Sequence, residues 1–166
     1  RGVIQHANYV TDYLRAHVKR LGLERPLDQG RIWRVVPEHG VTEALGEHDP
    51  GIEIAAVEPD ESAVLSGGPS GSHKIEGIGI GFVPPLWHPE MVNRIERVST
   101  ADAKDMARRL AREHGVFAGT STGANVVAAC RVATRLGPSA TVVTIACDSG
   151  LRYLSTDVFR RSETGV

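Results

Sequence analysis

The fold is decided by one stretch of sequence, Gly115-Val116-Phe117-Ala118-Gly119-Thr120-Ser121-Thr122-Gly123-Ala124-Asn125. In it a short apolar strand, residues 116–117, leads into a loop of small residues, and a helix is predicted over residues 124–136, stopped by Gly-Pro. A second apolar run, residues 141–146, predicts a parallel strand covered on both faces, and a second small-residue loop follows it. Strands that end in such loops are typical of an open α/β sheet, whose ligand site lies at the carboxyl ends of its strands.

The rest of the chain alternates predicted helices and strands in the same manner. Helices are predicted over residues 8–21 and 41–47, strands over 32–36 and 52–57, a long loop over 66–89, and a helix from Ser99 or Thr100 to Gly115. We therefore predict one domain, residues 1–166, with the architecture of an α/β three-layer sandwich around a mostly parallel sheet.

Composition narrows the classes of function. The chain has 166 residues, a length that suits one compact domain. Its 19 basic and 20 acidic residues give a net charge of -1, which argues against nucleic acid and anionic membranes as partners and favours a small-molecule ligand. Cys130 and Cys147 have no neighbours at metal-ligand spacing, so we predict no metal site and reduced thiols. Without a long apolar segment or a signal peptide, the chain is predicted to be cytoplasmic.

The small-residue loop 119–123 is the first candidate site. Backbone N–H groups and hydroxyls at the start of a helix suit an anion or a hydrogen-bond acceptor. The alternative is a tight turn in which the Thr and Ser side chains act only as helix caps. The loop alone leaves both interpretations open.

Three segments together resemble the C-terminal half of the cysteine synthase and cystathionine β-synthase family, the pyridoxal-phosphate enzymes of fold type II. They are the loop 119–123, Ser72-His73-Lys74-Ile75-Glu76-Gly77-Ile78-Gly79-Ile80-Gly81-Phe82, and Asp148-Ser149-Gly150-Leu151-Arg152-Tyr153-Leu154-Ser155. In the family the loop reads Gly-Ile-Ser-Ser-Gly-Ala, and its first serine donates to the pyridine nitrogen of the cofactor. The resemblance implies pyridoxal 5'-phosphate as the cofactor, Ser121 as that donor, and Gly77, Gly79 and Ser149 as residues that line the pocket. A neutral hydroxyl at that nitrogen favours replacement at the β-carbon of an amino acid over transamination.

Two positions depart from the family pattern, and one more leaves its role open. Cys147 stands where the family has proline, and either a packed thiol or a pocket residue fits there. Leu151 stands where the family has glutamate. His73 matches a family histidine and suits either a structural role or that of a general base.

Two parts of the family's active site have no match. The chain has three lysines, and none corresponds to the lysine that forms the Schiff base: Lys19 lies in a basic run, Lys74 matches a different family position, and Lys104 is predicted on the polar face of its helix. The family's phosphate loop, Gly-Thr-Gly-Gly-Thr, is replaced by residues 35–40, which include Pro37 and Glu38. Because Pro37 lacks an N–H and Glu38 is negative, this stretch should not hold a phosphate. No catalytic residue is assigned.

The resemblance covers residues 41–159, while residues 1–40 do not align. It implies a cysteine synthase-like β-replacement on an activated serine, giving cysteine or an S-substituted cysteine, by a partial or truncated enzyme that is inactive on its own. The alternative is a non-catalytic remnant that serves as a binding domain. A third hypothesis, an unrelated nucleotide-binding domain, is disfavoured because no G-x-G-x-x-G follows the first strand. A half-enzyme would expose the surface of its missing part, so we also predict a homo-oligomer.

Overall fold

The computed structural model describes the backbone of residues 32–35 and all of residues 51–85 and 87–160. The strands are β1 (Ile32–Val35), β2 (Glu53–Pro59), β3 (Arg94–Val98) and β4 (Thr141–Thr144). The α-helices are α1 (Thr100–His114) and α2 (Thr120–Leu136). Short 3-10 helices span Asp60–Ser62, Pro89–Met91 and Gly150–Tyr153. The predicted helices at 8–21 and 41–47 lie outside the described residues.

The four strands form one sheet in the order β3-β2-β1-β4, and every pairing is parallel. The predicted α/β class and parallel sheet are therefore confirmed. β3 was not predicted, because three of the five residues in its Arg-Ile-Glu-Arg-Val sequence are charged and they do not alternate with apolar residues. Glu96 is nevertheless buried and is paired with Arg135 of α2. β4 ends at Thr144 and has exposed Thr141 and Val143, so the expectation of a strand covered on both faces is wrong: β4 lies at the edge of the described sheet.

The core lies between the sheet and α2. Residues 54–59 of β2 are all buried, as expected for a strand covered on both faces. Ala55 and Val57 belong to the same hydrophobic cluster as Ala124, Ala128 and Val132, which recur at helical spacing along α2. This packing fixes the direction of α2 and brings its N-terminus to the carboxyl edge of the sheet.

Helix α1 has the boundaries that its sequence predicts. Ser99 caps the N-terminus, where its side chain accepts a hydrogen bond from Asp102 N. Gly115 ends the helix in the left-handed conformation, with φ of 67°. The helix packs on α2 at Gly123, where an added Cβ would lie 2.0 Å from the carbonyl oxygen of Ala103.

Two local predictions around the deciding stretch are wrong. Residues 116–117 form no strand: Val116 and Phe117 are exposed, and only Ala118 makes an isolated bridge, to Ser149. Helix α2 begins at Thr120 rather than at residue 124, so the predicted loop forms its first turn. Thr120 and Thr122 are tolerated there because their hydroxyls accept hydrogen bonds from neighbouring segments.

Among the described residues, no helix is long and apolar enough to cross a membrane.

Candidate functional site

Three segments meet at the carboxyl edge of the sheet. They are the N-terminal turn of α2, the loop 147–150 beyond β4, and the segment 73–79, which packs on Pro59 at the end of β2. All three contain residues that the sequence assigned to the site. Because the strands are parallel, this edge collects the loops that follow each strand.

The start of α2 and the loop 147–150 are held together by backbone hydrogen bonds. Gly119 N donates to Asp148 O at 3.3 Å, and Gly150 N donates to Phe117 O at 3.0 Å. Cys147 N donates to the Thr122 hydroxyl at 3.0 Å, a bond that a proline at position 147 could not make. The segments that carry Ser121 and Ser149 are therefore neighbours.

Ser121 lies in the first turn of α2, not in a loop. It is only 5% exposed, and among the described residues its hydroxyl has no hydrogen-bond partner. A hydroxyl that bonds no other described residue, in a largely buried residue at the positive end of a 17-residue helix, suits an uncharged acceptor or an anion.

The segment 73–79 forms the second side of the site. Glu76 N donates to the Thr120 hydroxyl at 3.3 Å, which connects this segment to α2. Gly79 has φ of 65°, and an added Cβ would lie 2.5 Å from a Pro59 side-chain carbon. Gly77 has φ of 89° and nothing within 4 Å of an added Cβ. Gly79 is therefore required by close packing, whereas Gly77 leaves open space beside the α2 terminus.

His73 holds the turn of this segment. Its Nδ1 accepts from Ile75 N at 3.3 Å, so Nε2 carries the proton and donates to Gly79 O at 2.7 Å. Both ring nitrogens are used by the backbone. Of the two roles that the sequence left open, the geometry supports the structural one.

Ser149 and Cys147 differ from their expected surroundings. Ser149 is exposed, and its hydroxyl accepts from Leu151 N at 3.3 Å, so it caps the following 3-10 helix. Cys147 is also exposed, so the interpretation of a packed thiol is wrong. The Asn125 amide donates to Cys147 Sγ at 3.3 Å and to Ile145 O at 3.1 Å, which fixes the loop against α2.

Sequence reasoning missed a buried polar pair beside these residues. Tyr153 is 2% exposed and donates its phenolic hydrogen to Asp148 Oδ2 at 2.7 Å. Burial, followed by the hydrogen bond to Asp148, raises the pKa of the Tyr153 phenol to about 12. Both residues stand in the stretch that carries the resemblance, but only the three-dimensional packing shows that they meet.

The two described lysines, Lys74 and Lys104, both interact with Asp157 and not with Ser121. Lys104 is buried, and its Nζ donates to both carboxylate oxygens of Asp157 at 2.8 Å, so its predicted place on a polar face is wrong. The hydrogen bond to Lys104 is the chief cause that lowers the pKa of Asp157. Lys74 is exposed and its Nζ lies 3.9 Å from the same carboxylate. Lys19 lies outside the described residues, as do residues 36–40 of the expected phosphate position.

The described residues contain no cluster of three His, Cys, Asp or Glu side chains able to hold a metal ion.

Fold and site together define an open parallel α/β domain with a small-molecule site at the carboxyl edge of its sheet, facing a helix N-terminus. Residues 39–148 match the family described as "Pyridoxal-phosphate dependent enzyme". That match covers more than half of the chain, and the chain belongs to this family.

Individual relatives agree with that assignment. The chain is 45% identical over 120 residues to a cysteine synthase of Staphylococcus aureus, which covers 72% of the chain and 39% of the relative. Among solved structures, it is similar to O-acetyl serine sulfhydrylase isoform 3 from Entamoeba histolytica, with a TM-score of 0.75, 39% identity, and coverage of 83% of this chain and 43% of that one. It is also similar to an O-acetylserine dependent cystathionine beta-synthase from Helicobacter pylori, with a TM-score of 0.75, 33% identity, and coverage of 86% and 46%. The chain thus spans about two fifths of the length of the curated relatives that it matches.

These relatives confirm the predicted resemblance to the cysteine synthase family and to fold type II, and with it pyridoxal phosphate as the family's cofactor.

Proposed function

We propose that this chain supplies the ring-binding side of a pyridoxal-phosphate site for β-replacement on an activated serine, giving cysteine or an S-substituted cysteine. The observation that carries the proposal is Ser121, a largely buried residue in the first turn of α2 whose hydroxyl bonds no other described residue. The similarity to cysteine synthases over 72% of the chain supports the same substrate class. When bound, the cofactor would withdraw electrons from the amino-acid substrate and so ease loss of the group on its β-carbon.

The chain's own residues would bind and orient the ring. Ser121 would donate to the ring nitrogen, and Gly77 would leave room for the ring beside the helix terminus. Ser149 would border the site from the neighbouring loop, since its backbone pairs with Ala118. A neutral donor at the helix terminus keeps the ring nitrogen unprotonated, which suits elimination and replacement better than transamination.

We further propose that the chain is a partial enzyme, without turnover of its own. Lys104 is buried in an ion pair with Asp157, and an ammonium held in this way is not available to attach the cofactor. Lys74 lies on the exposed side of the same carboxylate. The described residues thus offer a donor for the ring but no free amine placed beside it.

Ring binding can be tested without lysine chemistry. Pyridoxine 5'-phosphate carries the same pyridine ring but no aldehyde, so it cannot react with an amine. We expect weak, millimolar binding, seen as amide shifts in α2 by NMR, and a loss of about fivefold in Ser121→Ala, since one hydrogen bond contributes about 1 kcal/mol. Thr134→Ala removes a hydroxyl from the exposed far end of the same helix and should bind as the wild type does. Equal affinity of the wild type and Ser121→Ala would refute the assignment of Ser121.

Turnover is tested separately. The purified chain with pyridoxal phosphate, O-acetylserine and sulfide should form no cysteine above the rate without protein. Cofactor-dependent formation of cysteine that Lys74→Ala abolishes would contradict the proposal of an inactive partial enzyme.

A second candidate function is a binding domain without chemistry. Ile80, Phe82 and Val83 are at least half exposed and lie within four consecutive residues, and large exposed apolar patches mark interaction sites. The expected homo-oligomer remains a proposal on the same grounds. Sedimentation at micromolar concentration decides it: a dimer weakened by Phe82→Ser supports this surface, and a compact monomer contradicts it.

A further inference from the structure

Tyr153 is an unusual residue to find buried beside a ligand site. It is the largest of the fully buried side chains among the described residues, yet it carries a hydroxyl that needs a partner. That partner is Asp148, which lies between Cys147 and Ser149 in the loop beyond β4. The phenol therefore holds the same loop that carries Ser149.

The ring and the carboxylate also pack directly on the start of α2. An added Cβ on Gly119 would lie 2.3 Å from Tyr153 Cε2 and 2.3 Å from Asp148 Oδ1. Only a glycine fits there, so the backbone that precedes Ser121 lies in contact with both side chains. The phenol and the carboxylate therefore limit how closely the loop 147–150 and the start of α2 can approach each other.

The third segment is connected through Thr120. Its side chain lies beside the Tyr153 phenol, and its hydroxyl accepts from Glu76 N at 3.3 Å. Thr120 is completely buried. The Tyr153 phenol thus lies against the start of α2 and donates to the loop 147–150. The hydrogen bond between Thr120 and Glu76 N then connects α2 to the segment that carries Gly77.

The hydrogen bond from the Tyr153 hydroxyl to Asp148 matters because it satisfies a carboxylate. Asp148 Oδ1 is buried without a partner, so among the described residues the phenol is the side-chain donor that satisfies this carboxylate. Asp148 is half-buried, and a carboxylate whose one oxygen is buried without a partner is disfavoured further when the other oxygen loses its donor. Removal of the phenolic oxygen should therefore drive Asp148, and the loop that carries it, away from Gly119.

We propose that Tyr153 is a positioning residue of the ring-binding site: through Asp148, Gly119 and Thr120 it sets the N-terminus of α2, which carries Ser121, against the loop that carries Ser149. This proposal rests on the proposed function for its link to the cofactor. The phenol touches no part of that cofactor in this role, and acts through the residues that it holds.

The test compares Tyr153→Phe with two further variants. Tyr153→Phe keeps the ring against Gly119 and removes only the hydroxyl. Asp148→Asn keeps a carbonyl oxygen that accepts from the phenol and removes the charge. Thr156→Val is the matched control, since it removes a hydroxyl that bonds the Tyr153 carbonyl rather than the phenol.

The readout is hydrogen exchange of the Gly119 and Gly150 amides, whose hydrogen bonds join the two segments. In Tyr153→Phe we expect both amides to exchange about tenfold faster while the amides of α1 keep their wild-type rates. Asp148→Asn should stay within about threefold of the wild type, because the phenol keeps its acceptor, and Thr156→Val should leave both amides unchanged. Unchanged exchange at Gly119 and Gly150 in Tyr153→Phe overturns the proposal, and so does an equal rise throughout α1, which would mean a general loss of stability.

Binding of pyridoxine 5'-phosphate separates this proposal from the proposed function. If the wild type binds and Tyr153→Phe binds about tenfold more weakly, the positioning role is supported. If both bind equally, the role toward the ring is overturned although the ring site stands. If the wild type does not bind, the proposed function fails, and the exchange of Gly119 and Gly150 still decides whether Tyr153 holds the two segments together.

Discussion

Replacing Gly123 by alanine tests the contact that sets the position of α2. Gly123 lies at the end of the first turn of α2, and an added Cβ would lie 2.0 Å from Ala103 O, 3.0 Å from Ala103 C and 3.1 Å from Ala107 N. All three are backbone atoms of α1, so no side-chain rotation can relieve the clash. The two helices would have to separate by about 1 Å or more to restore ordinary contact distances.

Two contributions of opposite sign decide how Gly123→Ala changes the free energy of unfolding. Alanine is favoured over glycine in a helix interior by about 1 kcal/mol. Overpacking of a close contact costs about 1–3 kcal/mol, and a clash with rigid backbone belongs at the upper end. We therefore expect Gly123→Ala to lower the free energy of unfolding by about 2 kcal/mol, or the melting temperature by about 4–8 °C for a domain of this size.

The measurement is urea unfolding followed by far-UV circular dichroism. Gly115→Ala is the control, because an added Cβ there meets nothing within 4 Å and the variant suffers only from φ of 67°, at a cost of about 1 kcal/mol. An unfolding free energy for Gly123→Ala equal to or above that of the wild type would refute the reasoning, since helix propensity alone would then have decided the result.

Three further predictions concern the site and its surroundings. Gly79→Ala should lose more unfolding free energy than Gly77→Ala in the same assay, because both glycines have positive φ but only Gly79 is crowded; equal losses would contradict the packing. Because the folded-state pKa of Tyr153 is raised, its contribution to stability should be complete below about pH 10 and lost as the pH rises toward about 12, and Tyr153→Phe should remove that part of the pH dependence of unfolding. Lys104→Gln should raise the lowered pKa of Asp157, so that its carboxyl titrates at higher pH by NMR. The stabilisation that depends on the Asp157 charge should then be lost at a higher pH on acidification. An unchanged Asp157 titration would mean that the ion pair is not formed in solution.

Local chemistry alone predicted the elements whose signals lie within a few residues of one another. Ser99 and Asp102 stand at the spacing of a helix cap, and Gly115 supplies the left-handed residue that ends the same helix, so the bounds of α1 follow from the sequence. The apolar β2 and the small-residue loops likewise placed the site at the carboxyl edge of a parallel sheet. The motifs around Ser121 carried the family resemblance without any knowledge of the packing.

Only the tertiary structure decided the features whose partners are distant in the chain. Helix α2 begins at Thr120 because its hydroxyl meets Glu76 N, 44 residues away, and no helix-propensity argument contains that contact. Lys104 is buried because Asp157, 53 residues further along, neutralises it. The sequence thus predicted candidate residues for the site and the family's cofactor, since residue type and local spacing depend on the chain alone. The burial and hydrogen bonds that make those residues a site depend on packing between distant segments, and a linear pattern does not contain them.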